Sequence, residues 1–370
     1  MGPHNTSATP SLDIQRLSSA LHESLPFSST LTHCAPLAGD ASNRRYFRLH
    51  LSGGPVKSLI LMQLSDPEGF KASEEAVSGA AGDISELPFL NVLNHLQTVG
   101  VSVPLLYFFD EPVGLLFLED FGDVTLAQAC QEATSATIEQ LYRQAIDVLV
   151  QLHVQASVPS KFPCLAFSRS FDVPLYLWEF DHFLEYGIVA RQGKPMCAED
   201  SLLIREKFQK IAEWMAEQPM VFTHRDFHSR NLMVDGDRLG VIDFQDALMG
   251  PVTYDLASLL RDSYIALDES LIDELLAYYR EKMSHALPLS QHTAMHLSDA
   301  NTFRRLIDFS SIQRNLKAAG RFVYIDRVKG NPNFLASIPR TLNNVHANLT
   351  KYPQLHQLLK HLSPYVPEWP

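Results

Sequence analysis

Apolar and polar residues in the first third of the chain follow the two-residue period that is typical of β-strands. Residues 46–51 alternate as a half-buried strand should, and residues 58–64 form an apolar run. Two further apolar runs occupy residues 103–109 and 114–118. Together with a strand-like stretch that begins at residue 37, these segments predict a small, five-stranded antiparallel sheet.

Helical spacing flanks this region and dominates after it. Residues 12–25 and 89–99 have helical patterns, and from residue 124 the apolar period changes from two to about 3.6. One apolar stripe consists of Leu141, Ala145, Val148, Leu149 and Leu152. A second consists of Ile204, Phe208, Ile211 and Met215, in a helix that we expect Asp200 to cap and that ends before Pro219. In the tail from residue 330 onward, a helix at about residues 338–349 is predicted.

The change of period predicts an α+β protein of two lobes. Residues 1–122 would form a small lobe built on the antiparallel sheet, and residues 123–370 a larger, mainly helical lobe. A loop at residues 39–43 joins two of the predicted strands. A chain of 370 residues is long enough to bury a core in each lobe.

Composition and charge exclude several classes of protein. The chain has 30 Lys and Arg against 42 Asp and Glu, so its formal net charge is −12, and it has no long basic run. This balance argues against a nucleic-acid partner. No apolar stretch has the length of a membrane span, and the four cysteines are scattered without metal-ligand spacing. We therefore expect a cytoplasmic protein without a membrane partner; its oligomeric state is not indicated.

The most informative segment is residues 221–246, where a short apolar run leads into a polar loop and then into a hairpin. The predicted turn is Asp235-Gly236-Asp237, which would pair Asn231 near Gly240 or Val241. Asp243 would then lie two or three residues further along the partner strand, close enough for its carboxylate and the Asn231 amide to share an ion. Carboxylate and amide oxygens suit Mg²⁺, which usually keeps waters and substrate phosphates as its remaining ligands.

The same loop carries a candidate catalytic base. Asp226 precedes Asn231 by five residues, in a stretch too polar for a core, and it would face whatever the ion holds. Each acid alone could be an ordinary loop residue, because Asp and Asn are common in turns. A metallohydrolase site built from His224, Asp226 and His228 is a second interpretation, but the neighbouring sequence offers few further ligands for zinc.

The spacing of these residues resembles a known catalytic arrangement. His224-Arg225-Asp226 followed by Asn231, with Ile242-Asp243-Phe244 further on, resembles the catalytic loop and metal-binding aspartate of the protein-kinase-like superfamily. The wider stretch, residues 224–262, resembles the aminoglycoside phosphotransferase family. Within it, the chain is most similar to the anomeric kinases of N-acetylmuramate and N-acetylglucosamine in peptidoglycan recycling. Residues 40–48, Asn315-Leu316-Lys317 and Ile338-Pro339-Arg340 support this resemblance, which covers about residues 30 to 355.

The resemblance implies roles for the residues of this segment. It implies a bilobal, protein-kinase-like fold that uses ATP and Mg²⁺, with Asp226 as the base that accepts the proton of the acceptor hydroxyl. Asn231 and Asp243 would hold Mg²⁺ against the ATP phosphates. Asp255 would brace the catalytic loop from behind, and His224 would pack beneath it.

The resemblance also implies a nucleotide-binding part of the small lobe. Asp120-Phe121-Gly122 spells a kinase metal motif, but it precedes the catalytic loop by about a hundred residues, so we interpret it as the hinge between the lobes. The backbone of Leu118, Glu119 and Asp120 would contact adenine.

The chain departs from the family pattern on its third strand. Met62 stands where family members commonly carry a phosphate-binding lysine. Arg44, Arg45 and Arg48 are candidates to replace that charge, because an arginine fork binds phosphate well. The loop that contains Gly39 has one glycine and is not a glycine-rich phosphate loop.

The expected acceptor is a small-molecule sugar, phosphorylated at the anomeric hydroxyl of N-acetylmuramate or N-acetylglucosamine. The lactyl carboxylate of N-acetylmuramate would favour a nearby basic residue, and Arg230 and Arg261 are candidates. Two alternatives stay open from the sequence. One is a kinase of another small hydroxyl acceptor, such as an aminoglycoside or a choline-like molecule. The other is a catalytically inactive binding module with a kinase fold, which the absence of the third-strand lysine favours.

Overall fold

The computed structural model describes residues 14–37, 44–64, 86–286 and 297–369. The predicted loop at residues 39–43 and the first two residues of the predicted opening helix lie outside the described residues. The chain divides into two compact units. The first comprises Met1–Pro67 and Pro104–Asp120, and the second comprises Glu68–Val103 and Phe121–Pro370.

The first unit is built on a five-stranded antiparallel sheet. Its opening helix is α1 (Ile14–Ser24). The strands, in chain order, are β1 (Thr30–Pro36), β2 (Arg45–Ser52), β3 (Ser58–Gln63), β4 (Leu106–Asp110) and β5 (Leu115–Glu119). They lie in the order β1-β2-β3-β5-β4. The number of strands was predicted correctly, but the first begins at residue 30 rather than 37. It lies at the sheet edge with mostly exposed or half-buried residues, so it shows no regular apolar alternation.

The two faces of this sheet have different surroundings. The face that carries Leu49, Leu61 and Phe117 packs with Leu17 and Leu21 of α1 in one hydrophobic cluster. In this way α1 covers one side of the sheet and completes a small core.

The opposite face carries the residue that replaces the expected lysine. Tyr46 pairs with Met62, and Arg48 pairs with Ile60, so Met62 and Arg48 lie on this same face of the sheet. Met62 is fully buried, as an apolar residue in the third of five strands should be.

The second unit is mainly helical. Its principal helices are α2 (Pro88–Thr98), α3 (Leu126–Ala129), α4 (Ser135–Gln151), α5 (Val173–His182), α6 (Ala198–Ala216), α7 (Tyr254–Leu260), α8 (Glu269–His285), α9 (Ala300–Lys329), α10 (Ile338–Lys351) and α11 (His356–Leu362). Helix α4 continues as a π-helical turn at Leu152–Ala156, and α5 continues as a π-helical segment at Phe183–Ala190. Two antiparallel strand pairs complete the unit: β6 (Met220–Thr223) with β9 (Leu248–Pro251), and β7 (Leu232–Asp235) with β8 (Arg238–Val241).

The apolar stripes of the sequence locate the buried faces of the helices well. In α4, Ala145 and Leu149 are fully buried, and in α6 all four stripe residues are buried. The predicted cap of α6 is wrong. The N-cap position is Cys197, and Asp200 lies in the first helical turn, where its carboxylate accepts hydrogen bonds from Tyr365 Oη at 2.6 Å and His361 Nδ1 at 2.7 Å.

Each of the two units consists of two separate stretches of the chain, whereas the predicted lobes were the continuous ranges 1–122 and 123–370. Helix α2 belongs with the helical unit because its Asn91 binds that unit by two hydrogen bonds. Asn91 Nδ2 donates to the Pro163 carbonyl at 2.9 Å, and Asn91 Oδ1 accepts from the Leu165 N–H at 2.7 Å. None of the helices in the described ranges combines the length and apolar character needed to cross a membrane.

Candidate active site

The hairpin of β7 and β8 determines how the two candidate metal ligands are placed. Asp235 pairs with Arg238 across a two-residue turn that contains Gly236 at φ +60°, and Leu232 pairs with Val241. Asn231 therefore lies opposite Ile242, whose N–H donates to the Asn231 carbonyl at 3.1 Å. The predicted pairing of Asn231 with Gly240 or Val241 is wrong by at least one residue. Asp243 follows Ile242 directly, so the two candidate ligands are closer in register than expected.

Asp255 lies behind the catalytic loop and binds its backbone. Its Oδ2 accepts a hydrogen bond from the His224 N–H at 2.6 Å, and its Oδ1 accepts one from the Arg225 N–H at 3.0 Å. The Asp255 side chain is fully buried at the start of α7. A buried carboxylate can remain charged when it accepts such hydrogen bonds. This geometry is the one that the bracing role of Asp255 requires.

The resemblance implied that His224 packs beneath the loop, and its buried side chain is compatible with that role. The ring is buried, and Nε2 donates to the Ile242 carbonyl at 2.9 Å, because a carbonyl oxygen can only accept. The bond connects the start of the loop to the residue that precedes Asp243. Among the described residues, no group of three or more His, Cys, Asp or Glu side chains could hold a metal ion, so the zinc-site interpretation gains no support.

The Asn231 amide is oriented by the loop itself. Its Nδ2 donates to the Asp226 carbonyl at 2.9 Å, which directs the amide oxygen to the other side of the group. The Asn231 N–H donates to the His228 carbonyl at 2.9 Å, so both ends of the residue bind the loop. An amide held in this way presents an oxygen, the atom that Mg²⁺ prefers.

The carboxylate of Asp243 is exposed and oriented by a neighbour. Gln245 Nε2 donates to Asp243 Oδ1 at 2.8 Å. The backbone of Asp243 has φ +64°, in the left-handed region that non-glycine residues rarely adopt. Together, one exposed carboxylate and one oriented amide oxygen fit a Mg²⁺ ion that keeps waters and phosphates as its other ligands.

The carboxylate of Asp226 lies among positive charges. Its side chain is 43% exposed, and Oδ1 is 3.8 Å from Nζ of Lys317. Partial burial raises the pKa of Asp226, but the charges of Lys317, His228, Arg225 and Arg314 outweigh that effect, so the pKa lies well below its usual range. Asp226 is therefore ionised at neutral pH, the state in which it can accept a proton or a hydrogen bond.

Glu179 of α5 joins this group from below the loop. Its carboxylate is 1% exposed and accepts from Arg225 Nη2 at 3.0 Å and from Gln313 Nε2 at 2.6 Å. Lys317 Nζ lies 3.5 Å from the same carboxylate. Burial of Glu179 is tolerated because its charge is paired on several sides.

The residues predicted to contact the nucleotide lie in the first unit. Arg48 and Asp120 form an ion pair with Nε to Oδ2 at 2.7 Å and Nη2 to Oδ1 at 3.0 Å. Arg45 lies on the other face of the sheet, where its guanidinium is 5.1 Å from the centre of the Phe47 ring. Arg48 therefore shares a sheet face with Met62 and Arg45 does not. The structure describes the chain again from Arg44 onward, and the role of Arg44 in binding phosphate stays a prediction.

Leu118 and Glu119, the predicted hinge residues, are bound to the neighbouring strand segment. The Glu119 N–H donates to the Leu105 carbonyl at 2.8 Å, and Glu119 Oε2 accepts from the Leu105 N–H at 3.1 Å. Leu118 is buried and pairs with Leu106 of β4. The contact of Leu118, Glu119 and Asp120 with adenine remains a prediction.

The two basic residues considered for the acceptor differ in their surroundings. Arg261 is buried and donates to both carboxylate oxygens of Glu269, at 2.6 and 2.8 Å, so its charge is already paired. Arg230 lies in the catalytic loop, with its guanidinium 3.7 Å from the centre of the Tyr264 ring and 5.9 Å from that of Phe334. Stacking occupies the faces of this guanidinium and leaves the N–H groups at its edge suited to an anion.

Several residues at this site were missed by the sequence analysis. Glu179 and Gln245 had no signal, because a single Glu or Gln in a helix or loop is ordinary. Asp262 accepts from the Ser229 N–H at 2.9 Å and so supports the middle of the loop. Lys317 was noted only as part of a resembling motif, and its contact with Asp226 depends on how α9 folds back onto the loop.

Most of the chain matches a known protein family. Residues 33–289 match the phosphotransferase enzyme family. An N-acetylmuramate/N-acetylglucosamine kinase of Neisseria meningitidis serogroup B is 31% identical over 323 residues, which cover 87% of each chain. The kinase of the same name from Pseudomonas aeruginosa is 29% identical over 324 residues, covering 87% of this chain and 86% of that one.

Solved structures share the fold at much lower identity. A choline kinase of Cryptosporidium parvum superposes with a TM-score of 0.57 at 12% identity, covering 94% of this chain and all of that chain. An aminoglycoside phosphotransferase bound to ADP gives a TM-score of 0.54 at 14% identity, covering 90% of this chain and 98% of that one. These similarities confirm the predicted α+β fold class, and the family match confirms the resemblance identified in the sequence.

Proposed function

We propose, from the premise that the chain belongs to the phosphotransferase enzyme family, that it transfers the γ-phosphate of ATP to the anomeric hydroxyl of N-acetylmuramate or N-acetylglucosamine. Relatives named N-acetylmuramate/N-acetylglucosamine kinase align with 87% of the chain. An ADP-bound structure with the same fold supports the use of an adenine nucleotide. A place in peptidoglycan recycling, which the resemblance implied, is part of this proposal.

The observation that carries the proposal is the joint geometry of Asp226, Asn231 and Asp243. The Asn231 amide donates to the backbone of Asp226, and Asp243 follows the residue paired with Asn231. The loop and the hairpin that follows it thus carry an ionised carboxylate, proposed to face the acceptor, and two candidate oxygen ligands for an ion. This is the division of roles that phosphoryl transfer needs.

In the proposed reaction, the anomeric oxygen attacks the γ-phosphorus and the bond to the β–γ bridging oxygen breaks, so ADP leaves. The hydroxyl proton passes to a carboxylate oxygen of Asp226. Because positive neighbours keep the pKa of Asp226 low, this carboxylate is a weak base. We therefore expect it to orient the hydroxyl first and to receive the proton late, as the new bond forms.

Asn231 and Asp243 are the residues that would hold Mg²⁺. The ion, when bound, would neutralise charge on the phosphates. For the nucleotide we favour Arg48 among the three arginines, since it lies on the face of Met62; to bind phosphate it would have to exchange part of its ion pair with Asp120. The backbone of Leu118 to Asp120 is proposed to bind adenine.

Arg230 is the residue we assign to the acceptor's carboxylate. N-acetylmuramate carries a lactyl carboxylate that N-acetylglucosamine lacks, and a planar guanidinium binds a carboxylate by two parallel hydrogen bonds. Arg261 is less suited because Glu269 already occupies it. The two sugars therefore form a natural pair for a test of this assignment.

The experiment is a coupled assay of Mg-ATP turnover with each sugar, with phosphorus NMR to identify the product. We expect a sugar 1-phosphate from both acceptors. Arg230→Met should raise the KM for N-acetylmuramate by about tenfold or more and leave that for N-acetylglucosamine within about threefold. A phosphate on any other hydroxyl would contradict the acceptor assignment but not the kinase class. If the protein turned over choline or an aminoglycoside but neither sugar, the proposed sugar acceptor would be wrong.

A further inference from the structure

We infer that Lys317 is a positioning residue, which holds the carboxylate of Asp226 toward the acceptor and is itself held by the buried Glu179. The inference rests on the proposed function, since it gives Lys317 a part in the same transfer. It concerns a residue 91 positions beyond Asp226, on a different element of the second unit.

The geometry places Lys317 between two carboxylates. Its Nζ lies 3.8 Å from Asp226 Oδ1 and 3.5 Å from Glu179 Oε1, and the side chain is 18% exposed. Lys317 Nζ and the Asp226 carboxylate form an ion pair. An ammonium with two such neighbours is confined, because moving toward one weakens its attraction to the other.

Glu179 is a firm anchor for Lys317. It is nearly fully buried on α5, and Arg225 and Gln313 donate to its two oxygens. Gln313 and Lys317 lie four residues apart on α9, so they project from the same helix face. Arg225 in turn is the residue before Asp226, and Asp255 holds its N–H. The loop and α9 are therefore connected to the same buried carboxylate.

A close helix approach makes this arrangement possible. Gly320 of α9 lies against the π-helical segment that continues α5, where an added Cβ would be 2.8 Å from the Phe183 Cα. A contact this short with backbone admits only glycine without a shift of one helix. Gly320 lies three residues after Lys317, and it brings this part of α9 close to the element that carries Glu179.

Loss of the Lys317 charge has a definite physical consequence. Glu179 and Asp226 would then lie near one another without the cation between them, and like charges at short range repel. Glu179 is buried and bound on two sides, whereas Asp226 is 43% exposed, so Asp226 would move. A displaced carboxylate no longer lies where the acceptor hydroxyl must point, and misplacement by about 1 Å can lower a rate by about 10²-fold.

The test compares wild type with Lys317→Met, Lys317→Arg and the control Lys351→Met. Lys351 also bridges two carboxylates, at 3.2 Å from Asp308 and 3.8 Å from Glu269. Within the described part of the chain, its hydrogen bonds and ion pairs go to residues outside the catalytic loop. For each protein, kcat and the KM for Mg-ATP are measured with N-acetylglucosamine, and ATP affinity is measured by calorimetry.

We expect Lys317→Met to lower kcat by about 10 to 100-fold while the KM and affinity for Mg-ATP stay within about threefold. Lys317→Arg should recover most of the rate, because it restores a cation that can reach both carboxylates. Lys351→Met should retain the wild-type kcat. Should Lys317→Met fail to fold, Lys317→Gln, which keeps a donor for Glu179 without the charge, gives the same comparison.

A double-mutant cycle tests whether Lys317 acts through Asp226. In an Asp226→Asn background, Lys317→Met should change the residual rate by less than about threefold, since the carboxylate it positions is gone. Fully additive losses would overturn the inference, as would a wild-type kcat in both Lys317→Met and Lys317→Gln. If wild type transfers no phosphate to either sugar, the proposed function fails and this inference fails with it. Transfer by wild type with unaffected Lys317 variants overturns the inference alone.

Discussion

Replacement of Asp255 by Asn is the sharpest test of how the catalytic loop is held. Asp255 is fully buried, and its two oxygens accept from two successive backbone N–H groups, at 2.6 and 3.0 Å. The amide of Asn has nearly the same shape but only one acceptor oxygen. Whichever way the amide turns, its NH₂ group faces the N–H of either His224 or Arg225, so one buried donor loses its partner.

The expected magnitude follows from these two bonds. The retained hydrogen bond loses its charged acceptor, which weakens it by about 1 kcal/mol, and the buried N–H left without a partner costs about 1–3 kcal/mol. The free energy of unfolding should therefore fall by about 2–4 kcal/mol. Because Asp226 directly follows Arg225, we also expect kcat to fall by at least about tenfold in the folded protein.

The assay is urea unfolding followed by steady-state kinetics on the same preparation. Asp235→Asn is the matched control. Asp235 is the last residue of β7, its side chain is 45% exposed, and its Oδ2 lies 2.6 Å from Nη2 of Arg238. An exposed pair of this kind contributes little, so the control should lie within about 0.5 kcal/mol of wild type. If Asp255→Asn changes unfolding no more than the control and keeps kcat within about threefold, Asp255 does not brace the loop.

Three further tests, the last with a matched control, address the roles of single side chains. Asp226→Asn should keep its affinity for Mg-ATP by calorimetry but lose about 10²–10⁴-fold in transfer by phosphorus NMR, and loss of ATP binding would place Asp226 in the metal site instead. Asp243→Ala should abolish Mg²⁺-dependent turnover with an unchanged melting curve, and near wild-type activity at low millimolar Mg²⁺ would remove it as a ligand. Arg48→Ala should raise the KM for Mg-ATP while Arg45→Ala, on the opposite sheet face, should not; equal effects would contradict the assignment.

Most of the fold could be predicted because the local pattern of apolar residues indicates most of its elements. The alternation in β2 and the stripe of α6 reflect which residues face a core, and that depends on period alone. Elements without such a pattern were harder. Strand β1 lies at a sheet edge, where polar residues are tolerated, and its sequence gives no alternation. The N-cap prediction for α6 was wrong for a related reason. The Asp200 carboxylate binds Tyr365, a residue far away in the sequence, and no local pattern indicates that contact.

The residues of the candidate site differ in the same way. Some could be predicted from their local spacing, and others reach the site only through tertiary packing. Asp226, Asn231 and Asp243 occupy one continuous loop and hairpin, so their spacing along the chain alone predicts that they lie together, although the predicted register was wrong by at least one residue. Glu179 and Lys317 reach the loop through the packing of α5 against α9. That approach depends on close contact of helices far apart in the chain, which no local pattern encodes.

The backbone of the site gives a reason why these particular residues are required. Arg225 and Asp243 are the non-glycine residues with positive φ in the described ranges, at +78° and +64°, and each such conformation costs about 1–3 kcal/mol. Glycine would relieve the strain at either position. It would also remove the guanidinium that binds Glu179 at one and the candidate metal carboxylate at the other. The strain persists because nearby bonds offset it: Asp255 holds the Arg225 N–H, and Gln245 holds the Asp243 carboxylate. Asp255 and Gln245 therefore hold the two strained residues that the candidate site needs.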